Sequence, residues 1–449
     1  MKRLNRNPEL RPLVKLSIPL ILTQLGQMIV HVADSAMVGQ VSPVYLAASA
    51  FANNIFVLIM FLGMGITLGI TPLVGKLNGA QDKEGIAQIL SNSFFTKIGI
   101  IILLLLLSVA IYFCMPLMGQ TKEVLTYASS YYILLTLSLI PLLFFYVFKQ
   151  FAEGFGNTKL TMRITIIGNL INIILNYIFI FGKLGSPQMN LDGAGLATLI
   201  SRILMLLMML YSYRRNKALR PWLSAISIQK YSFRESIKLL HVGVPIALQM
   251  TAEASIFSLS GIMVGWLGTT SLAAYQVVTT ISYCSFMIIT GFSQAVTIHI
   301  STLLGSKAFL RVRNSIILSS KMTFLLMSTL SVLFLLFRFP LTRFFTQDSE
   351  VIAIASHLVV LLVFYQLSDG FQVLGMGILR AFTDVKHPMI VAFISYFILA
   401  LPGGYALGFV FDFGVGGVWM GLVIGLSLAA IFFMARVLSN LKHLKLQID

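Results

Sequence analysis

Residues 19–39 read PLILTQLGQMIVHVADSAMVG, and residues 245–265 read PIALQMTAEASIFSLSGIMVG. Each stretch is long enough to form a spanning helix, which needs about 20 mostly apolar residues. Each also contains one acid, Asp34 in the first and Glu253 in the second. An ionisable group at membrane depth costs roughly 2.5–3.5 kcal/mol on insertion scales, so it persists where it faces water, a partner or an ion. The two stretches therefore predict a membrane protein that handles cations.

The composition of the whole chain supports this interpretation. Of its 449 residues, 57% are hydrophobic and only 10% are charged, whereas a soluble chain carries about 25% charged residues. The mean hydropathy is +0.90. The length accommodates twelve spans with short connections. We predict them at roughly 13–38, 46–74, 88–113, 124–150, 160–182, 191–213, 239–265, 272–304, 312–337, 351–379, 388–410 and 414–436.

The basic residues predict how these spans are oriented. With the N-terminus inside, including Lys2, Arg3 and Arg6, nearly all of the 32 Lys and Arg residues fall on the inner face. The exceptions are Lys122, Lys183, Arg338 and Arg343. Such a bias is the positive-inside pattern of membrane proteins. It predicts that both termini are cytoplasmic, and it explains the net charge of +17 without a nucleic-acid partner.

The opening comparison extends into a repeat that covers both halves of the chain. Residues 19–79 align without a gap on residues 245–305. The matches include Pro19 with Pro245, Met37-Val38-Gly39 with Met263-Val264-Gly265, Leu46-Ala47-Ala48 with Leu272-Ala273-Ala274, Gly65 with Gly291, Thr71 with Thr297, and Gly79 with Gly305. Six spans per half give both copies the same orientation, related by an axis along the membrane normal.

We therefore predict an all-α integral membrane fold, in which twelve transmembrane helices form two pseudo-twofold six-helix bundles around a central cavity. The predicted lobes are residues 1–213 and 239–449, and the basic stretch 214–238 is a cytoplasmic linker. Two such bundles suit alternating access, in which the cavity opens to one side of the membrane at a time.

The acids are where the two copies differ. Asp34 aligns with Ser260, Glu253 aligns with Gln27, and a third intramembrane acid, Asp369, aligns with Leu142. A purely structural role would more naturally recur in both halves. The asymmetry predicts that each lobe has its own cation chemistry.

Polar residues at a depth similar to that of Asp34 complete a candidate site in the first lobe. Asn172 and Asn176 lie one helical turn apart, so their amides share a face, and Thr198 lies near the outer end of the next helix. Carboxylate, amide and hydroxyl oxygens suit a hard cation such as Na⁺. Two alternatives are that the amides adjust the proton affinity of Asp34, or that they only bridge helices.

His31 lies one turn before Asp34 on the same helical face. It is placed to tune the proton affinity of Asp34 or to relay its proton, or else it only lines a cavity wall.

In the second lobe, Glu253 and Asp369 lie near mid-depth in two different helices. Two nearby carboxylates can exchange protons for an organic cation or bind Na⁺; the alternative is a protonated pair with a structural role.

Several ordered motifs resemble the multidrug and toxic compound extrusion (MATE) transporters, in particular the NorM-type bacterial branch. They are Pro19 through Asp34-Ser-Ala-Met-Val-Gly39, Glu153-Gly-Phe-Gly-Asn157-Thr-Lys159, Asn169-x-x-Asn172-x-x-x-Asn176, Gly193-Ala-Gly195-Leu-Ala-Thr198, Pro245 with Glu253, and Asp369 before Gly377-x-x-Arg380. The resemblance implies that Asp34 works with Asn172, Asn176 and Thr198, and that Glu253 and Asp369 are the acids of the second lobe. Some branches have Asp at the position of Asn176.

Together these observations predict an antiporter that exports amphipathic organic cations in exchange for inward Na⁺ or H⁺. We expect a monomer in the bacterial cytoplasmic membrane that needs no cofactor beyond the coupling ion. A two-lobe flippase for a lipid-linked oligosaccharide is the alternative; it would need Arg or Lys at mid-depth, and we identify none from the sequence. No P-loop, metalloprotease or hydrolase motif is present in the sequence, so we do not expect an enzyme.

Overall fold

The computed structural model describes residues 8–445, with side chains through residue 443. Within that range the chain is almost entirely helical and forms no β-strand. Lys2, Arg3 and Arg6 of the predicted inner-face charges lie outside it. Among the described residues, twelve helices are long and apolar enough to cross a membrane: α1 (Leu10–Val41), α2 (Pro43–Gly79), α3 (Lys83–Met118), α4 (Lys122–Gly154), α5 (Thr158–Phe181), α6 (Asn190–Arg215), α7 (Phe233–Gly265), α8 (Thr269–Gly305), α9 (Phe309–Leu336), α10 (Ser349–Phe382), α11 (Lys386–Val410) and α12 (Gly414–His443). Each overlaps one predicted span, so the all-helical, twelve-span prediction is confirmed.

Local sequence explains where several of these helices begin and end. The side chains of Ser42, Asp82 and Asp348 accept hydrogen bonds from backbone N–H groups in the first turns of α2, α3 and α10. These caps satisfy donors that have no partner inside the helix. α5 ends where Gly182 adopts a left-handed conformation with φ of 65°, which is costly for residues with a Cβ. Capping side chains and a left-handed glycine therefore mark these four helix ends.

α11 departs from regular α-helical geometry. It contains two π-helical segments, Ile394–Ala400 and Ala406–Val410, on either side of Leu401–Tyr405. That central turn includes Pro402, which has no backbone N–H to donate to the helix. Short π-helical segments occur frequently at functional sites, and one of these two carries a side chain of the acid site in the C-terminal half.

The helices pack into two compact units. The N-terminal unit is Leu22–Ala247, and the C-terminal unit combines Met1–Ile21 with Leu248–Asp449. α1 and α7 therefore each begin in one unit and continue in the other, and the change occurs at repeat-equivalent positions, Ile21 and Ala247. This division by packing differs from the division by sequence repeat, 1–213 and 239–449, in the first helix of each repeat.

Two repeat-equivalent glycines allow this packing. In the N-terminal unit, a Cβ at Gly65 of α2 would clash with the backbone of Ala247 in α7. In the C-terminal unit, a Cβ at Gly291 of α8 would lie 2.6 Å from the Cα of Ile21 in α1. The same close approach of two helices thus recurs in both units, as the sequence repeat predicts.

The predicted linker 214–238 is packed against the N-terminal unit. It contains the short helix Arg220–Ala225, followed by a 3₁₀ turn at Ile228–Lys230. Ser91 Oγ of α3 donates to the carbonyl of Ala225 (2.9 Å), and Asn92 Oδ1 accepts from the backbone N–H of Ser232 (2.7 Å). α7 begins at Phe233, several residues before its predicted start.

Two basic residues that the sequence analysis placed on the inner face lie instead within helices. Lys97 is buried in α3, where its Nζ donates to Gly63 O (3.0 Å) and to Thr67 Oγ1 (2.5 Å) of α2. Arg202 lies close to the middle of α6. The expectation of no mid-depth Lys or Arg was therefore wrong. Assigning each basic residue to the nearest helix end fails where polar groups of a neighbouring helix can receive its hydrogen bonds.

Candidate functional site

The N-terminal unit brings together three of the residues proposed from the sequence. Asn176 on α5 donates from Nδ2 to Asp34 Oδ1 on α1, and the same nitrogen lies 3.3 Å from Asn172 Oδ1. Asn172 in turn donates to Ser201 Oγ on α6 at 3.3 Å. Asn176 is 0% and Asn172 5% exposed, so the α5 amides connect Asp34 to α6 through the protein interior.

Thr198 is close to this cluster without a direct bond to its acid. Its backbone carbonyl accepts from Ser201 Oγ at 2.9 Å. Among the described residues its hydroxyl makes no hydrogen bond to Asp34 or to either asparagine. His31 is exposed and likewise makes no hydrogen bond to Asp34 in the described part of the chain. The structure therefore assembles Asp34, Asn172 and Asn176 directly, and leaves Thr198 and His31 at the edge.

A basic residue that was not among the predicted site residues lies near the same acid. The guanidinium of Arg202 on α6 interacts electrostatically with Asp34. Its Nη1 donates to Ser138 Oγ on α4 at 2.5 Å, and it lies 5.3 Å from the ring centroid of Phe56 on α2. Among the described residues Arg202 makes no direct ion pair with Asp34, whose carboxylate accepts from Asn176 instead. The N-terminal site thus holds one negative and one positive charge.

In the C-terminal unit a glutamine connects one predicted acid to a tyrosine. Gln372 on α10 donates from Nε2 to Glu253 Oε1 on α7 at 3.2 Å and to Tyr396 Oη on α11 at 2.5 Å. Tyr396 lies in the first π-helical segment of α11 and is 1% exposed. Three helices therefore meet at one amide, which fixes the position of the Glu253 carboxylate.

Asp369 lies one turn before Gln372 in α10. Its side chain is 1% exposed, and neither carboxylate oxygen receives a hydrogen bond from the described residues. It interacts electrostatically with Glu253. A buried carboxylate normally has hydrogen-bond donors or a counter-ion, so two neighbouring acids, one of them without donors, form a strong candidate site for a proton or a cation.

Aromatic and basic groups complete the surroundings of this pair. Tyr365, one turn before Asp369, has its ring centroid 5.5 Å from that of Trp419 on α12. Arg380, near the end of α10, interacts electrostatically with Glu253. Arg380 belongs to a motif quoted above, but Gln372 and Tyr396 did not enter the sequence analysis. The spacing of Gln372 from Asp369 on one helical face was the signal that could have found it.

No group of three or more His, Cys, Asp or Glu side chains suited to a metal ion occurs among the described residues. The Na⁺ hypotheses for Asp34, Asn172, Asn176 and Thr198, and for Glu253 and Asp369, therefore rest on one or two carboxylates with neutral oxygen groups. Such sparse oxygen sites suit a monovalent ion or a proton better than a transition metal, which prefers imidazole or thiolate ligands.

Twelve candidate spans, an internal repeat and buried acids in both units define a polytopic membrane protein of the secondary-transporter class. The MatE family model matches residues 19–178 and 245–406. The chain belongs to this family, the MATE transporters, as the sequence motifs implied. The two matched segments begin at the repeat-equivalent residues Pro19 and Pro245. Because this is a family of transporters, the prediction that the chain is not an enzyme is confirmed.

Known proteins resemble the chain over almost its whole length. It is 32% identical over 435 residues to multidrug resistance protein MdtK of Yersinia pestis (strain Pestoides F), covering 96% of this chain and 95% of that protein. MdtK of Proteus mirabilis (strain HI4320) is 31% identical, with the same coverage. A multidrug resistance MATE family transporter of the MOP superfamily, in an outward-facing conformation, has a TM-score of 0.87 at 22% identity and covers 97% of this chain and 96% of its own. The eukaryotic MATE transporter AtDTX14 has a TM-score of 0.87 at 17% identity, covering 98% of both chains. Both structures therefore share the fold of this chain.

Proposed function

We propose that this chain is a multidrug efflux antiporter, which exports amphipathic organic cations in exchange for inward Na⁺ or H⁺. The observation that carries the proposal is the buried pair Glu253 and Asp369, with no hydrogen-bond donor to Asp369 among the described residues. A site of this kind stabilises bound positive charge, whether the charge comes from a proton, Na⁺ or a cationic substrate. The MdtK relatives, named as multidrug resistance proteins, support the substrate class.

The energetics suit an exchange mechanism. Inward movement of one monovalent cation gains ~2.3 kcal/mol per 100 mV of membrane potential. The gain drives export only when ion and substrate bind with different affinities to the inward-open and outward-open states. Competition for the same acids provides that coupling, because a carboxylate occupied by one cation is not available to the other.

Transport in liposomes tests this proposal. The purified protein is reconstituted with a fluorescent organic cation, and a Na⁺ gradient and a pH gradient are imposed separately. Substrate movement driven by at least one gradient and absent from protein-free liposomes is the expected result. Transport that requires ATP, or that neither gradient drives, would contradict the antiport mechanism.

The topology is part of the same proposal. The protein lies in a bacterial inner membrane with both termini in the cytoplasm, and the repeats 1–213 and 239–449 are the two lobes that move. The test uses single-cysteine variants in a background that lacks Cys114 and Cys284. A membrane-impermeant thiol reagent should label position 40 in intact cells, and position 216 only after the membrane is opened. Labelling of position 216 in intact cells would overturn this orientation.

Arg202 gives one reason to retain the flippase alternative. A carrier of a lipid-linked oligosaccharide phosphate needs a basic group at mid-depth, and Arg202 lies near the middle of α6. Its proximity to Asp34 favours the antiporter, because a neighbouring acid weakens anion binding. Reconstituted protein should leave a fluorescent lipid-linked phosphate in its original leaflet; rapid translocation would favour the flippase.

A further inference from the structure

Arg202 is positioned by groups other than the acid that it faces. One of its guanidinium nitrogens donates to Ser138 Oγ at 2.5 Å, and the ring of Phe56 lies 5.3 Å away. Tyr131 and Tyr146 of α4 also interact electrostatically with it. A guanidinium has five N–H donors, and only the bond to Ser138 occurs among the described residues. The side chain is therefore anchored to α4 and α2, with donors left over.

The charge of Arg202 is permanent, because arginine stays protonated under physiological conditions. Asp34 is close enough to interact with this charge, yet makes its hydrogen bond with Asn176 instead. Opposite charges near each other in a medium of reduced dielectric attract strongly even without direct contact. In the absence of any bound cation, Arg202 thus balances the Asp34 carboxylate.

A cation that binds at Asp34 meets both charges. It gains the attraction of the carboxylate and is repelled by the guanidinium, which is tethered and cannot diffuse away. The amide nitrogen of Asn176, which also faces the carboxylate, presents a donor rather than an oxygen ligand. A cation at this position therefore competes with a charge and a hydrogen bond that belong to the protein.

The repeat shows that the charge at this position of the helix is confined to one half of the molecule. In the C-terminal unit the arginine that interacts with an acid is Arg380, which lies on α10 instead. At the offset that relates Gly193 to Gly414, Arg202 corresponds to Val423, a partly buried apolar residue that packs in the core of the C-terminal unit. The two lobes share the helix but not the charge. Arg202 is consequently a feature of the Asp34 site rather than of the common fold.

We infer that Arg202 competes with bound cations for the Asp34 carboxylate. This competition weakens cation binding in the N-terminal unit and so favours release of the cation from Asp34. The inference rests on the proposed function, because it assigns the residue that sets cation affinity at one of its two acid sites. Arg202 acts through Asp34 and is a positioning residue. Its effect should appear in the binding of charged ligands and not in that of neutral ones.

Equilibrium binding to the purified protein tests this inference. Tetraphenylphosphonium is a suitable probe, because its charge does not change with pH. Replacing Arg202 by Gln should tighten its binding about tenfold, the size of effect expected from removing one repulsive charge near the bound cation. Arg202→Met, a second neutral variant that can still pack against Phe56, should behave in the same way. Arg202→Lys keeps the charge and should bind as the wild type does.

Two controls separate competition from a change in structure. An uncharged ligand should bind equally to the wild type and to all three variants. In an Asp34→Asn background, Arg202→Gln should no longer tighten binding, because the acid for which it competes has been neutralised. Unchanged tetraphenylphosphonium binding in both neutral variants, or equal tightening by Arg202→Lys, would overturn the inference.

Failure of the inference and failure of the proposed function give different results. If gradient-driven export by the wild type persists while Arg202→Gln and Arg202→Met bind the probe as the wild type does, only the role of Arg202 is wrong. If the wild type shows no gradient-driven export, the antiporter proposal itself is wrong.

Discussion

The two acid sites occupy the two halves of a repeated chain, but their charges are arranged differently. In the N-terminal unit, Asp34 receives a hydrogen bond from Asn176 and faces the permanent charge of Arg202. In the C-terminal unit, Asp369 has no hydrogen-bond donor among the described residues, and its neighbour Glu253 is a second acid. Arg380 also interacts electrostatically with Glu253, so the second site has two acids for one base. The first site is close to charge balance, whereas the second has an excess of negative charge.

This difference shows how duplication can separate two tasks. The shared helices place one acid on the first helix of each repeat, at Asp34 in α1 and Glu253 in α7. The charges around those acids then determine how strongly each site needs a bound cation. We expect the C-terminal pair to hold its cation more tightly and to dominate coupling, with Asp34 as the weaker site.

The largest expected effect comes from Asp369. Asp369→Asn removes the acid that has no donors, and with it the charge that a coupling cation neutralises. Gradient-driven export should fall at least about 100-fold, a loss equivalent to about 2.7 kcal/mol, while the amount of protein in the membrane stays near normal. Liposome efflux assays measure this effect. Asp412→Asn, the same change in an exposed loop, is the control, and wild-type export by Asp369→Asn would remove the C-terminal site from the mechanism.

Glu253 should have a smaller effect that depends on the charge of the ligand. Glu253→Gln keeps an oxygen that can accept from Gln372, and it restores the residue type found at Gln27 in the other repeat. Binding of a cationic substrate should weaken about tenfold, as for the loss of one nearby charge, and its competition with Na⁺ or H⁺ should disappear. Binding of a neutral substrate should persist.

Binding of one cationic and one neutral compound at two pH values measures the outcome. Glu235→Gln is a matched control, because Glu235 lies near the start of α7 and pairs at the surface with Lys238 at 2.6 Å. Equal losses for both compounds in Glu253→Gln would mean that Glu253 supports the structure without contacting the cation.

Asn172 provides a milder test of the N-terminal site. Asn172→Ala removes the acceptor for Asn176 Nδ2 and the donor to Ser201, but it leaves the charges of Asp34 and Arg202 in place. The loss of neutral hydrogen bonds costs about 1 kcal/mol, so export should fall severalfold. The comparison with Asp34→Asn in the same efflux assay is decisive: a larger defect in Asn172→Ala than in Asp34→Asn would contradict the central role of the acid.

The last prediction concerns stability and should leave transport least affected, because it involves an ion pair away from both acid sites. Glu9, just before α1, is 1% exposed and accepts from Arg311 Nε (2.6 Å) and pairs with His299 Nε2 (2.8 Å) in the C-terminal unit. Burial raises the pKa of Glu9, but the hydrogen bonds from Arg311 and His299 outweigh it, so the pKa lies below its usual value. The charged form is therefore the one that the folded protein stabilises.

The sign of the pH dependence follows from this lowered pKa. The contribution of Glu9 to stability is complete above its ordinary pKa near 4.5 and is lost as the pH falls towards the lower value of the folded state. Glu9→Gln should lower the free energy of unfolding at neutral pH by about 1–3 kcal/mol, and the difference from the wild type should shrink below pH 4.5. Thermal unfolding in detergent measures it; a difference that grows as the pH falls would contradict the assignment. Glu235→Gln should change stability by less than about 1 kcal/mol, because its ion pair is exposed.

Much of this architecture could be predicted from the sequence. Apolar stretches of span length produced the twelve helices, because the bilayer requires continuous hydrophobic segments. The repeat placed Gly65 and Gly291 at equivalent close approaches of two helices. The one-turn spacing of Asn172 and Asn176 correctly indicated a shared face, and the structure brings that face to Asp34.

Other features depend on information that helix periodicity does not contain. Arg202 was assigned to the inner face because nearly every other basic residue lies near a helix end; its stabilising partners, Ser138 and Phe56, belong to two other helices. The contacts of Gln372 with Glu253 and Tyr396 depend on the rotation of three helices and on the π-helical geometry of α11. The exchange of the first part of α1 and α7 between units is a packing outcome, which a repeat alone does not specify.

The most direct test of the central claim is to measure whether substrate binding releases the coupling ion. Tetraphenylphosphonium is added to purified protein in weakly buffered solution, and the release of protons and Na⁺ is recorded with a pH indicator and a Na⁺ electrode. We predict that the wild type releases one of these ions as it binds the probe, and that Glu253→Gln combined with Asp369→Asn abolishes most of this release. Binding of the probe with no ion released, or equal release from the double variant, would contradict the claim that buried acids couple cation and substrate.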